Sequence, residues 1–276
     1  MTLINRSAVV LAAYGSLYPN AIATYNSIKE FYRQHFPNNE IILAFTSEFI
    51  RHKLKDRDVM VHNPLTALAE LHDLGYRNIL VQSLQIVPGK EFHEISSLVA
   101  GLQRVHGKFG LKRLAIGQPL LAGLDDCKKV SLALRSFFDA SIVDGSIVDK
   151  FRDPSKTAVV LVGHGTGHPA DSLYSMLSSV LQNMYRNVFL GTLEGYPGID
   201  ELVPAIERSG VEEIKLIPLL LVAGGHAHED IVGDRPGSWK SILEQKGFKN
   251  DGYLAGLGER KDILQIFLDH SRNAQQ

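Results

Sequence analysis

The chain has 276 residues, 45% of them hydrophobic and 21% charged, with a formal net charge of −1 at pH 7. This composition excludes a disordered chain, and near-neutral charge offers no global field to draw in nucleic acid or an anionic membrane. No apolar stretch reaches the length of a membrane span, no secretory pattern opens the sequence, and Cys127 is the sole cysteine. A cytoplasmic protein without an intrachain disulfide is therefore expected.

In chain order, Ala8 to Ala13 predicts a buried strand running into Tyr14-Gly15-Ser16. Ala21 to Phe36 repeats apolar residues at helical spacing and stops at Pro37. Ile41 to Thr46 predicts a second strand. Pro64 to Leu74 predicts a helix, with Asn63 as N-cap, proline at the first helical position and Gly75 at its end. A third strand begins at Ile79 and leads through Pro88-Gly89 to Glu91-Phe92-His93-Glu94, and Leu114 to Gly117 predicts a fourth. Asp144 to Lys156 reads as a linker, dividing the chain into domains at 1–145 and 146–276.

The second half repeats the first. Ala158 to Thr166 aligns with Ala8 to Ser16, Val188 to Leu193 with Ile41 to Thr46, and Ile214 to Glu229 with Ile79 to Glu94. Leu254 to Leu257 resembles Leu114 to Gly117. Helices are expected over Asp171 to Tyr185 and over Ile199 to Ser209, the latter closing at Gly210. The first half carries extra residues around Arg51 to His62. Alternating strands and helices imply parallel sheets with right-handed crossovers, so each half is expected to form a four-stranded, Rossmann-like α/β unit.

On this shared scaffold the halves differ at a few positions. His164 ends the first strand of the second half, Glu194 follows the second, and His226 follows the third. The first half has Tyr14 in place of His164 and Glu91 in place of His226. Ligands of open parallel sheets bind outside the carboxyl ends of the strands, where two imidazoles and a carboxylate can hold a divalent metal. Taken singly, each residue has an ordinary alternative as a helix cap or a solvated loop residue. Their joint placement on one edge favours a shared site. His228 either replaces His226 as a ligand or supports it, and its repeat partner His93 favours a scaffold or substrate-binding role. His168, His52 and His62 read as surface residues. A dinucleotide fingerprint fails at His168, where glycine is required, and no P-loop is present, so no nucleotide is expected.

Gly163-His164-Gly165-Thr166, Leu193-Glu194-Gly195-Tyr196-Pro197 and Leu221 to Ala227 resemble the anaerobic sirohydrochlorin cobaltochelatases of cobalamin biosynthesis. In the first half Ala44 to Ser47, Ile50-Arg51 with Lys53-Leu54, Val81 to Leu84 and Pro88-Gly89 agree. One departure is Gly225, where an acidic or polar residue is more usual. The resemblance implies a class II chelatase fold, two similar α/β domains facing a central cleft. It implies that His164 and His226 bind metal and that Glu194 assists metal delivery or proton transfer. Co²⁺ as substrate metal comes from the resemblance alone, since the same donors accept Fe²⁺ or Ni²⁺. A sirohaem-forming ferrochelatase and a non-catalytic tetrapyrrole or metal carrier are the alternatives. Sirohydrochlorin carries many carboxylates, so Arg51, Lys53, Lys90 and Arg235 are candidate contacts. Tyr14, Phe92 and Tyr196 are candidates for the ring faces, and Glu91, His93 and His228 complete the expected substrate-binding set. Neither a nucleic acid nor a membrane is expected as partner, and homo-oligomerisation stays open.

Overall fold

A strand buried on both faces of a parallel sheet must be apolar along its whole length. Ala8-Val9-Val10-Leu11-Ala12 meets that requirement with no solvent exposure at all, and it lies at the centre of its sheet. In the computed structural model, which describes residues 6–138 and 156–276, the first sheet comprises β1 (Arg6–Ala13), β2 (Asn39–Phe45), β3 (Tyr76–Ser83) and β4 (Arg113–Gly117). The second comprises β5 (Thr157–Gly163), β6 (Val188–Thr192), β7 (Glu213–Leu219) and β8 (Lys249–Gly252). All pairings are parallel, in the orders β2-β1-β3-β4 and β6-β5-β7-β8. The expected α/β architecture and its duplication are both present.

Helices α1 (Pro19–His35), α2 (Glu48–Lys55), α3 (Pro64–Asp73), α4 (Lys90–Gln103) and α5 (Leu124–Ala133) precede β5. Helices α6 (Ser172–Met184), α7 (Ile199–Ser209), α8 (Trp239–Gln245) and α9 (Lys261–Ala274) follow it. Local chemistry sets several of their ends. Asn63 Oδ1 accepts from Thr66 N at 2.9 Å to start α3, and Glu201 Oε2 accepts from Gly198 N at 2.8 Å at the start of α7. Gly210 closes α7 with φ +73°, a conformation that favours glycine. Helix α2 and the loop after it are the extra residues of the first half, since only residues 193–198 separate β6 from α7.

Packing divides the chain differently from the expected halves. One unit comprises the residues up to Ala122 together with Gly258–Gln276, and the other Gly123–Leu257. The expected boundary at 145/146 and the linker from Asp144, apart from Lys156, lie outside the described residues. The reason for the difference is an exchange of helices. Helix α5, which follows β4, joins the second unit beside α6, where Tyr185 Oη donates to Ser131 O at 3.2 Å. Helix α9, which follows β8, joins the first unit and covers β3 and β4 on the side that α1 shares.

A buried polar chain holds α9 in place. Ser271 Oγ donates to Gln82 Oε1 on β3 at 2.7 Å, so the hydroxyl of Tyr32 on α1, 3.0 Å away, must donate to Ser271. Gln82 Nε2 in turn donates to Ser83 O and Gln118 O. Gly117 is required beside it, because a Cβ there would lie 1.9 Å from Gln82 Oε1.

Two strand ends differ from expectation. The apolar run Ile214 to Val222 leaves the ladder at Leu219, and the chain from His226 to Ile231 forms a π-helical turn. The last strand is Lys249–Gly252 and not Leu254 to Leu257. Gly256 sits against the backbone of Leu221 and Val222, where a Cβ would lie 2.4 Å from Leu221 O, so that segment packs as a loop.

Phe267 on α9 is fully buried. Phe267→Ala is expected to lower the unfolding free energy by about 3–5 kcal/mol in urea denaturation. A loss below about 1 kcal/mol would mean that α9 is peripheral to the first unit.

Candidate functional site

Strand β5 lies between β6 and β7, so the loops after these three strands share one edge of the second sheet. Side chains alternate along a strand, so Val162 and Gly163 face opposite ways. Val162 packs in the cluster containing Leu202, Val203 and Ile206 of α7, whereas a Cβ on Gly163 would meet the Tyr174 ring of α6 at 2.6 Å. Helices α6 and α7 therefore cover opposite faces, and the connections diverge beside β5. His164 follows β5 and His226 follows β7, flanking the point at which such sheets bind ligands.

The loop after β5 is tied to the loop after β6 by backbone. Leu193 N donates to Gly163 O at 3.0 Å and Glu194 N to His164 O at 2.8 Å, extending the strand pairing and setting Glu194 beside His164. Gly165 has φ +78°, and a Cβ there would lie 2.4 Å from Gly195 N, so only glycine allows the two loops to close up. Asp171 completes the tie. Its Oδ1 accepts from Thr166 N at 2.9 Å and its Oδ2 from Tyr196 N at 2.8 Å. The first unit repeats the backbone pattern, with Thr46 N bonded to Ala13 O and Ser47 N to Tyr14 O. By this pairing Ser47 corresponds to Glu194.

The two imidazoles meet edge to face, with ring centroids 4.7 Å apart and planes at 86°. His164 Nδ1 lies 2.9 Å from Gly165 O, and because a carbonyl can only accept, Nδ1 carries the proton. His226 Nδ1 lies 2.6 Å from Asp230 Oδ2, which fixes the same tautomer. Both rings thus keep the Nε2 lone pair for a ligand. Glu194 Oε2 stands 3.8 Å from His164 Nδ1, and both side chains are solvent-accessible. Among the described residues, no three His, Cys, Asp or Glu side chains are already gathered to hold a metal. The expected trio shares one edge, but its carboxylate approaches an imidazole at the nitrogen that carries hydrogen.

The other expected residues are placed variously. Tyr14 and Tyr196 are 57% and 65% exposed, each next to a strand-end loop of its own unit. Phe92 is 6% exposed and belongs to the core of the first unit, so its ring is not presented to a ligand. Arg51 is occupied by its own loop, Nη1 donating to Phe45 O and Thr46 O, each at 2.8 Å. Glu91 Oε1 accepts from Thr46 Oγ1 at 3.1 Å. His93 is exposed and His228 half-buried, its backbone N bonded to Gly224 O. Lys90 pairs with Glu94 at 3.8 Å, while Lys53 lies over Phe49 at 6.0 Å. Arg235 pairs with Asp230 and donates through Nε to Glu229 O.

Sequence reasoning missed the roles of Asp171 and Asp230, together with a tyrosine below each first loop. Tyr174 is buried and contacts the Gly165 backbone; burial pushes its phenol above the ordinary tyrosine range, partly offset by that contact. Tyr25 does the same beneath Gly15 in the first unit. Both therefore act as neutral supports. The repeat does not announce them, because the offset that pairs Gly15 with Gly165 sets Tyr174 against Thr24, one residue out of register with Tyr25.

The sequence profile of the cobalt chelatase (CbiK) family matches residues 7–276. The chain belongs to this family. It is 34% identical over 267 residues to the sirohydrochlorin cobaltochelatase CbiKC of Nitratidesulfovibrio vulgaris, covering 97% of this chain and 90% of that one. It is also 34% identical over 239 residues to the sirohydrochlorin cobaltochelatase of Salmonella typhimurium, covering 86% and 84%. Among solved structures, SirB from Bacillus subtilis with Fe³⁺ aligns with a TM-score of 0.61 at 17% identity, over 98% of this chain and 95% of that one. SirB from Bacillus subtilis subspecies spizizenii in complex with cobalt gives 0.56 at 14%, over 98% and 96%. At these identities the likeness is one of fold, and the chelatase shares it. No helix among the described residues is long and apolar enough to cross a membrane.

Asp171→Ala removes the acceptor for two loop amides at once. Hydrogen exchange at Thr166 and Tyr196 is expected to accelerate at least about tenfold, with less change at the buried amides of β5. Equal acceleration throughout β5 would show a general loss of stability in place of a local tie.

Proposed function

We propose that this chelatase inserts Co²⁺ into sirohydrochlorin without ATP. His164 and His226 receive the metal through Nε2, and Glu194 supplies negative charge and accepts a proton. The observation that carries these roles is the histidine pair, two adjacent imidazoles whose Nδ1 hydrogens are both committed to oxygen acceptors. The names of both curated relatives support the substrate and the metal.

The chemistry follows from the balance of charge. Co²⁺ replaces two pyrrole N–H protons, so each turnover releases two H⁺ and forms four metal–nitrogen bonds. Two neutral donors hold the ion without neutralising it, which leaves it able to depart to a dianionic macrocycle. A nearby carboxylate lowers the cost of bringing the cation in and can take a proton released by a pyrrole. Because Glu194 approaches His164 from the Nδ1 edge and is exposed, it can swing toward the metal without disturbing either ring. Tyr196, two residues on and exposed, offers a face on which the macrocycle can rest. Metal and macrocycle are both substrates here. The energy for bending the ring comes from binding its periphery, so no nucleotide hydrolysis is required.

Anaerobic absorbance assays with Co²⁺, Fe²⁺ and Ni²⁺ supplied separately, each with and without ATP, test the reading. Cobalt is expected to be inserted with no effect of ATP. Faster turnover with Fe²⁺ would make the protein a ferrochelatase, binding without turnover a carrier, and an ATP requirement would overturn the mechanism.

His164→Ala and His226→Ala are each expected to cut kcat/KM at least about a hundredfold while circular dichroism stays unchanged. Near-normal turnover by either folded variant would remove that histidine from the site.

Glu194→Gln keeps the size and loses the charge. It is expected to lower kcat by about 10²–10⁴-fold while weakening Co²⁺ binding less than His164→Ala does. Calorimetric Co²⁺ titration beside single-turnover insertion separates the roles. Loss of all cobalt binding would make Glu194 chiefly a ligand, and a normal rate would leave it without a catalytic role.

A further inference from the structure

We infer that Asp230 and Arg235 are positioning residues for His226, holding its ring as the Nδ1–H tautomer so that Nε2 presents a lone pair to the incoming metal. The inference deepens the proposed reaction and rests on His226 being a metal-receiving residue. Asp230 Oδ2 lies 2.6 Å from His226 Nδ1, four residues along the same turn. Its other oxygen pairs with Arg235 Nη2, and Arg235 Nε is anchored at 3.0 Å on Glu229 O. Both oxygens of one carboxylate are thus employed, one by the imidazole and one by a guanidinium that cannot lose its charge. An imidazole alone in water samples both tautomers and several ring rotations. This one is held by an acceptor that is itself held.

The repeat supports the assignment independently. In the first unit the residue matching His226 is Glu91, and the position matching Asp230 is Ile95, which is buried. There α4 runs as a regular helix from Lys90 to Gln103. In the second unit the same stretch is a π-helical turn that ends by Val232, with Val232 N bonded to Ala227 O at 3.1 Å. Gly233 follows, where a Cβ would lie 2.5 Å from His228 O. Shortening the helix there lets the chain double back and bring Arg235 onto Asp230, which a continued helix would carry away along its axis. The histidine, its acceptor and the turn that delivers the arginine occur together in one unit and are all missing from the other. Arg235 was expected to contact a substrate carboxylate; the structure gives its charge to Asp230 instead.

The groups that face His226 in the second unit are His164, at 4.7 Å between ring centroids, and Asp230. Removing Asp230 therefore removes the acceptor that selects its tautomer. Long-range ¹H–¹⁵N spectra of histidine-labelled protein at mildly alkaline pH read the tautomer without metal or substrate. Wild type is expected to show His226 protonated at Nδ1. Asp230→Ala is expected to shift it to a mixture dominated by Nε2–H and to raise the Kd for Co²⁺ about 10–100-fold. In turnover the KM for Co²⁺ should rise with it, while the KM for sirohydrochlorin stays within about twofold. Arg235→Gln should move both readings the same way by less.

Unchanged tautomer and Co²⁺ affinity in folded Asp230→Ala would overturn the inference, as would equal rises in both KM values. Should Asp230→Ala fail to fold, the same readings on Arg235→Gln decide. Wild-type protein that shows the tautomer and the Asp230-dependent Co²⁺ affinity yet inserts no cobalt would overturn the proposed reaction and leave the positioning role standing.

Discussion

A parallel sheet sends the ends of all its strands to one edge, and the candidate site of this chelatase depends on that constraint. With β5 in the middle and β6 and β7 on either side, three loops that are distant in sequence emerge as neighbours. Nothing in the loops themselves has to bring them together. They only have to be trimmed so that side chains meet, and Gly165, Gly195 and Asp171 do this by letting backbone approach backbone and then bonding both sides. The histidine pair is a consequence of this closeness, not a cause of it.

Duplication explains how one unit comes to carry the histidine pair on a scaffold that both share. The loop-closing hydrogen bonds, the glycine with positive φ and the buried tyrosine beneath it exist in both units. They belong to the scaffold and would hold almost any side chain at the strand ends. What differs is a short set of residues placed on that scaffold: His164 for Tyr14, Glu194 for Ser47, His226 for Glu91 and Asp230 for Ile95. These changes, with Arg235 and one helix cut short, accompany the histidine pair of the second unit.

The strands, the long helices and the His164–Glu194–His226 edge were legible because each depends on local pattern: apolar runs, an N-cap followed by proline, and a repeat whose mismatches stood out. Other features depend on partners far away in sequence. The strand Lys249–Gly252 has no apolar run to announce it, because its burial pattern alternates exposed with half-buried residues at the sheet edge. The charge of Arg51 and the ring of Phe92 are visible in the sequence, whereas the carbonyls that Arg51 bonds and the core in which Phe92 is buried are not. Asp230 stands out in the sequence only as one of several possible ligands crowded after His226, and only the π-helical turn gives its spacing meaning. The helix exchange was hidden for a plainer reason. An amphipathic helix shows that it has an apolar face but not which sheet that face will cover.

That exchange has a consequence for how the chain comes to be folded. Synthesis proceeds from the N-terminus, and the first unit's strands and most of its helices leave the ribosome well before α9 does. Until α9 arrives, the buried glutamine of β3 lacks the hydroxyl of Ser271, and the apolar surface that Phe267 will cover stays open to water. The first unit therefore cannot be finished while the second is still being made, despite coming first in sequence. Contacts of such long separation slow folding and prolong the exposure of sticky surface. Folding of the first unit is thus tied to a helix that follows the whole second unit in sequence.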